Sequence, residues 1–235
     1  RKGYQLAEDR FQTTFSERNV SCEACHGQGS RHVEWARQAK ARGQEPKGEP
    51  GLIVRFTERR SREWEMDVKR GIAKPTKFLD TRFEVETCAR CHARRGLLTE
   101  DYRPGRLLMD THRPALLDAG LYYADGQMRD EVYNWGSFLQ SKMYAAGVTC
   151  SDCHEPHGLK VKVGADDVCS SCHQPERFAS RKHHFHRENG KGASCVACHL
   201  RTETYMGVDP RHDHSIRAPR PDLTVALGRE NAPNA

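Results

Sequence analysis

The sequence has no run of 18 or more apolar residues, so nothing in it reads as a membrane-spanning helix. It is short of hydrophobic residues in general, 36% against 30% charged, which is little for a core built from side chains alone. It carries no zinc-finger, RNA-recognition or basic-zipper signature to accompany its formal charge of +6, which excludes a nucleic-acid binder. No secretory leader is visible, the first residue is Arg1 rather than Met, and the last is Ala235. The reading is a piece of a longer, processed precursor.

No cysteine is left over. The ten cysteines form five C-x-x-C pairs, and each pair is followed at once by histidine: Cys22, Cys25, His26; Cys88, Cys91, His92; Cys150, Cys153, His154; Cys169, Cys172, His173; and Cys195, Cys198, His199. A disulfide framework or zinc half-sites would use cysteine pairs too. Zinc would need pairs to combine two by two, and five is odd. Neither chemistry explains a histidine after every pair. C-x-x-C-H is the attachment signature of c-type haem. Residues three and four apart share one helical face. Two thiols can therefore reach the two vinyl groups along one porphyrin edge, while the next imidazole meets the iron as proximal ligand. The expected cofactors are five haem c groups. Such attachment belongs to the oxidising side of a membrane, so the expected location is periplasmic or extracellular, in a bacterium or archaeon.

Thirteen histidines are present, and eight remain once the proximal five are set aside; ordinary usage would give about five in all. An iron whose sixth position is filled by histidine is closed and suited to electron transfer; one left open can bind substrate. The candidate distal ligands are His32, six residues after His26; His112, alone in the connection between the second and third motifs; His157, beyond Pro156; one of His183, His184 and His186, with His183 and His186 retained; and His214. Methionine is the competing ligand, but Met109, Met128, Met143 and Met206 read as packing residues.

Ten propionates from five haems would move the formal charge from +6 to about +1 with all irons ferric and about −4 with all ferrous, so surplus Arg and Lys read as propionate partners. Motif starts are separated by 66, 62, 19 and 26 residues, which crowds the last three sites into one body. Expected elements are a helix from Ser30 to about Arg42 closed by Gly43, a short strand over Leu52–Phe56, irregular chain over 63–87, a helix from about Asp130 to Ala146 leading into the third motif, and a helix over Glu176–Glu188. The expected fold class is mainly α with much irregular coil, a haem-filled core and little β. The expected organisation is a pentahaem cytochrome domain over 1–215, with haem sites at 22–26, 88–92, 150–154, 169–173 and 195–199, and an extended Pro-containing tail over 216–235.

The stretch NVSCEACHGQGSRHV (Asn19–Val33) resembles the CHGPGSxH element of the multihaem c-type cytochromes, a superfamily that includes the tetrahaem carrier of ammonia oxidisers, pentahaem nitrite reductase and octahaem hydroxylamine oxidoreductase. The segments GVTCSDCHEPH (Gly147–His157) and Ser194–Leu223 resemble a branch with further haems and tetratricopeptide repeats. The resemblance implies that His32 ligates a haem. The CxxCK site common in the nitrite reductases is absent, and the fifth motif reads CHLR where relatives often have CHMP.

The function these features imply is electron transfer through closely spaced, mostly bis-histidine haems, in a periplasmic or extracellular carrier that forms a wire. The partners would be redox proteins docking transiently, or further copies of the chain as oligomer or filament. The alternative is an oxidoreductase acting on a small nitrogen or sulfur compound at one open haem, with Lys182, His184, Tyr205 and Arg211 lining its pocket. The supply of histidines favours the carrier over the enzyme.

Overall fold

The computed structural model describes residues 3–15, 19–45, 47–57, 63–78, 82–164 and 166–228. The chain divides into two compact units, one made of Arg1–Arg55 with Arg103–Gly105 and the other of Phe56–Tyr102 with Arg106–Ala235.

The first unit opens with a small hairpin, β1 (Tyr4–Gln5) against β2 (Arg10–Phe11). Two helices follow, α1 (Cys22–His26) and α2 (Ser30–Ala41). Gly27 separates them at φ 76°, a left-handed conformation that glycine adopts without a Cβ clash. The α2 helix ends two residues before Gly43, which takes φ 60° and is the expected stop; at its start the N-cap is Gly29, and Ser30, expected to cap the helix, is its first residue and makes no side-chain cap hydrogen bond. The apolar run Leu52–Phe56 forms no strand. In this unit Val54 instead pairs its backbone with the first motif, its N–H donating to the His26 carbonyl at 3.1 Å.

The second unit begins with the hairpin β3 (Trp64–Asp67) and β4 (Ile72–Pro75), where irregular chain was expected. Then come α3 (Phe83–His92), β5 (Arg95–Leu97) paired with β6 (His112–Pro114), α4 (Asn134–Phe138), α5 (Lys142–Ala145) and α6 (Cys150–Cys153). The hairpin β7 (His154–Glu155) and β8 (Lys160–Val161) leads to α7 (Asp167–Ser170), α8 (Pro175–Phe178), α9 (Arg181–His184) and α10 (Cys195–His199). The last hairpin, β9 (Thr202–Tyr205) with β10 (Asp209–His212), precedes α11 (Pro221–Leu227). Pro221 at the first position of α11 suits a helix start, because that residue needs no N–H partner.

The expected helix Asp130–Ala146 is two short ones. Tyr133 sits at φ 59° and prevents an earlier start, and Ser141 stops the first helix and caps the second, its Oγ accepting the Tyr144 N–H at 2.9 Å. The expected helix Glu176–Glu188 is likewise split into α8 and α9.

The fold class is therefore corrected. The chain is 34% helical and 16% strand, with eleven helices and five small antiparallel two-stranded sheets among the described residues, a mixture of α and β and not a helix-dominated haem-filled core. The physical reason is local. Segments between motifs satisfy their backbone groups by folding back on themselves in short ladders rather than by extending helices. The side-chain core is two small clusters, Tyr122, Met128, Val132 and Tyr205 in one and Ala89, Ala93 and Leu108 in the other.

Candidate functional site

Each C-x-x-C-H motif lies at a helical turn. In the first and fifth the motif is the whole helix, α1 and α10. The second forms the last turn of α3. In the third, α6 holds both cysteines and His154 leaves it in extended conformation. In the fourth, α7 holds Cys169, and the turn continues through Cys172 and His173, whose N–H groups both donate to the Cys169 carbonyl at 3.1 and 2.9 Å.

At the first site, His26 Nδ1–H donates to the Val54 carbonyl at 2.7 Å and His32 Nδ1–H to the Pro50 carbonyl at 2.7 Å. A carbonyl can only accept. Nδ1 therefore carries a proton, which leaves Nε2 as the nitrogen that can face a metal. His32 also lies nearly parallel to Trp35, ring centres 5.3 Å apart.

In the second unit, cysteines of successive motifs act on one another, two pairs by hydrogen bond and one by charge alone. Cys88 of the second and Cys150 of the third are in hydrogen-bond contact, which holds the Cys88 thiol low and pushes Cys150 up. Cys153 of the third interacts with Cys172 of the fourth, although burial contributes most to its raised pKa. Cys169 of the fourth, pushed up to about 12 chiefly by burial, contacts Cys195 of the fifth.

Two carboxylates, Glu84 buried and Asp166 half-buried, join the same elements. Glu84 on α3 accepts the Ser151 N–H of α6 at 2.6 Å. Asp166, before α7, accepts the Val196 N–H at 3.1 Å and the Ser194 hydroxyl at 3.2 Å, both at the start of α10. The third motif is further held by a capping box between Thr149 and Asp152. The fourth is fastened to the β3–β4 hairpin: Ala73 N–H donates to the Cys172 carbonyl at 2.7 Å and Gln174 N–H to the Gly71 carbonyl at 2.8 Å. Gly71 is at φ 70°, and a Cβ there would meet Arg177 Cδ at 2.9 Å.

The distal candidates fall into groups. His214 lies nearly parallel to His154 of the third motif, ring centres 6.2 Å apart and planes at 24°. His183 faces His199 of the fifth motif in the same way, at 6.0 Å and 16°. His214 Nδ1–H donates to the His212 carbonyl at 2.9 Å and His199 Nδ1–H to the Arg217 carbonyl at 2.8 Å. Asp213, buried beside His214, takes the Met128 N–H on one oxygen and the Ser215 N–H on the other, each at 2.8 Å. His173 meets the edge of Phe178 at 5.3 Å, and Phe178 meets His183 at the same distance. His112 is buried on β6 with its Nδ1 2.8 Å from Thr111 Oγ1. His157 is exposed at the β7–β8 turn, 3.2 Å from Glu155. His186 donates its backbone N–H to His184 Nδ1 at 3.1 Å.

Burial is the first cause that lowers the pKa of His92, His112, His154, His173, His183 and His214, with nearby Arg or His adding to it for all but His154. Neutral imidazoles are the metal-ligating form. Among the described residues, no three or more His, Cys, Asp or Glu side chains converge to hold a bare metal ion. A haem, bringing its own four nitrogens, asks the chain only for thiols at its edge and imidazoles on its axis. The donor set fits that group.

Of the methionines read as packing residues, Met128 is 2% exposed, whereas Met109 and Met206 are on the surface. Glu84, Asp166, Asp213 and Phe178 were not legible as site residues, because nothing in their spacing from the motifs marks them. No helix among the described residues is long and apolar enough to cross a membrane. Comparison with family models, curated proteins and solved structures finds no match for this chain.

Proposed function

We propose that the chain is a pentahaem c-type cytochrome that transfers electrons in a periplasmic or extracellular space. What supports the reading most is the set of five C-x-x-C-H motifs on helical turns, four of them in the second unit, where Glu84 ties the second motif's helix to the third motif and Asp166 ties the fourth motif's helix to the fifth. When bound, each haem supplies a reversible ferric/ferrous couple. The chain's part is to hold and orient. The ten cysteines fix position through thioethers. His26, His92, His154, His173 and His199 offer imidazole nitrogens on the axis. Backbone carbonyls of Val54 and Arg217 set the tautomer of His26 and His199. Glu84 and Asp166 clamp neighbouring motifs to one another, so that their separation does not drift. Docking partners are redox proteins or further copies of the chain, meeting through small transient surfaces.

The test is a pyridine haemochrome assay with intact mass on the purified native protein, followed by a redox titration. Five covalent haems, all reducible and reoxidisable, are expected. Fewer than five, or metal without porphyrin, overturns the reading.

A further inference from the structure

The structure brings together two pairs of histidines that the sequence left unassigned, and we infer that His154 with His214, and His199 with His183, are the axial pairs of the third and fifth haem sites. This rests on the haem reading above and adds to it the identity of the ligands.

A metal–imidazole bond of about 2.0–2.1 Å, with roughly 1.1 Å from nitrogen to ring centre, puts two imidazoles on one metal ~6.2–6.4 Å apart. The observed separation of His154 and His214, 6.2 Å, lies at that value, and that of His199 and His183, 6.0 Å, just below it. Distance alone does not decide, because offset aromatic stacking also spans about 4.5–7 Å. Two further features do. One member of each pair is the histidine that directly follows a cysteine pair, which fixes the haem's edge beside it. In each pair one ring gives its Nδ1–H to a main-chain carbonyl, His214 to His212 and His199 to Arg217, so that ring's Nε2 holds a lone pair.

A third pair supplies the contrast. His184 and His186 are also nearly parallel, 6.3 Å apart. Only Phe185 separates them in the chain, so no flat macrocycle can pass between, and neither follows a cysteine pair. His184 Nδ1 moreover accepts the His186 backbone N–H. The pairing thus assigns His183, not His184 or His186, as the ligand from this cluster.

The test uses the ferric holoprotein, with electron paramagnetic resonance read alongside the haem count. His214→Gly and His183→Gly should each keep five haems and convert about one fifth of the iron from low to high spin. Added imidazole should restore the low-spin signal. His184→Ala and His186→Ala should leave the spectrum unchanged. If either glycine variant keeps its low-spin iron in full, or if His184→Ala or His186→Ala produces the high-spin signal, the pairing is overturned. A wild-type count below five haems overturns the function instead, which separates the two failures. Should a glycine variant not accumulate, diethyl pyrocarbonate on the native ferric wild type decides: His183 and His214 stay unmodified while His184 and His186 react. Modification of His183 there sinks the assignment.

Discussion

The first unit carries one C-x-x-C-H motif and the second carries four, and the two secure them differently. In the first, the imidazoles of His26 and His32 are held by carbonyls of a single loop, Pro50 and Val54. In the second, each motif leans on the next, through sulfur contacts and through carboxylates that reach from one motif's element to another's. A site held by its own loop can be lost without disturbing others. A site in contact with neighbours shares its support, so damage there should spread.

The largest effect expected from this contrast is on haem content. Replacing both cysteines of a motif by serine should remove one haem of five, and Cys22→Ser with Cys25→Ser should stop there. The same change at Cys150 and Cys153 should also lower occupancy at the second site, because Cys150 is hydrogen-bonded to Cys88, and Ser151, next to Cys150, donates its N–H to Glu84 of the second motif's helix. Mass spectrometry of the intact variants reads the difference, and equal losses in both units would erase the distinction.

The second expectation concerns alkaline pH. Burial pushes Tyr122 up to about 12 and raises Tyr205 as well. Both belong to the second unit. Their folded pKa lies above the unfolded value near 10, so above pH 10 the unfolded chain binds fewer protons and folding weakens as pH rises. Stability should be level up to about pH 10 and then fall by about 1.4 kcal/mol per pH unit for each phenol. Tyr122→Phe should flatten part of that slope in denaturant titrations run between pH 9 and 11.

Smaller effects follow from single carboxylates. Glu84→Ala removes the acceptor of a buried N–H and should cost about 1–3 kcal/mol in chemical unfolding, with the second and third motifs loosened together. Asp166→Ala takes away the acceptor shared by Ser194 and Val196 and should cost about 1 kcal/mol, seen as a modest fall in the unfolding midpoint. A change in the first unit, where no such carboxylate joins motifs, should leave these values untouched.

What the sequence disclosed was the chemistry that a spacing can carry. C-x-x-C-H fits one helical turn, and all five cysteine pairs lie on such turns, with His154 alone of the five histidines leaving in extended conformation. The helix from Ser30 was legible from Ser30 at its start and Gly43 after its end, although Gly29 and not Ser30 is the capping residue. The helix expected over Asp130–Ala146 was not, because the apolar spacing of Val132, Trp135, Phe138 and Met143 is silent about a left-handed Tyr133 and a capping Ser141. The run Leu52–Phe56 read as a strand by composition, yet its backbone serves His26 instead. The β3–β4 hairpin was passed over because its strands are only four residues long and its main partner is the distant fourth motif. Tertiary contacts of this kind leave no periodic trace. Asp213 is the clearest example, buried between two backbone N–H groups in a segment that reads as a polar loop.

The carbonyls behind His26, His32 and His199 carry a consequence for reduction potential. An imidazole that gives its Nδ1 proton to an acceptor becomes the stronger donor at its other nitrogen, and a stronger donor favours the higher oxidation state of the metal it holds. The acceptors here are main-chain atoms of Val54, Pro50 and Arg217. If these histidines hold haem iron as proposed, that bias towards low potential is set by main-chain atoms, which replacement of the Val54, Pro50 or Arg217 side chain does not remove.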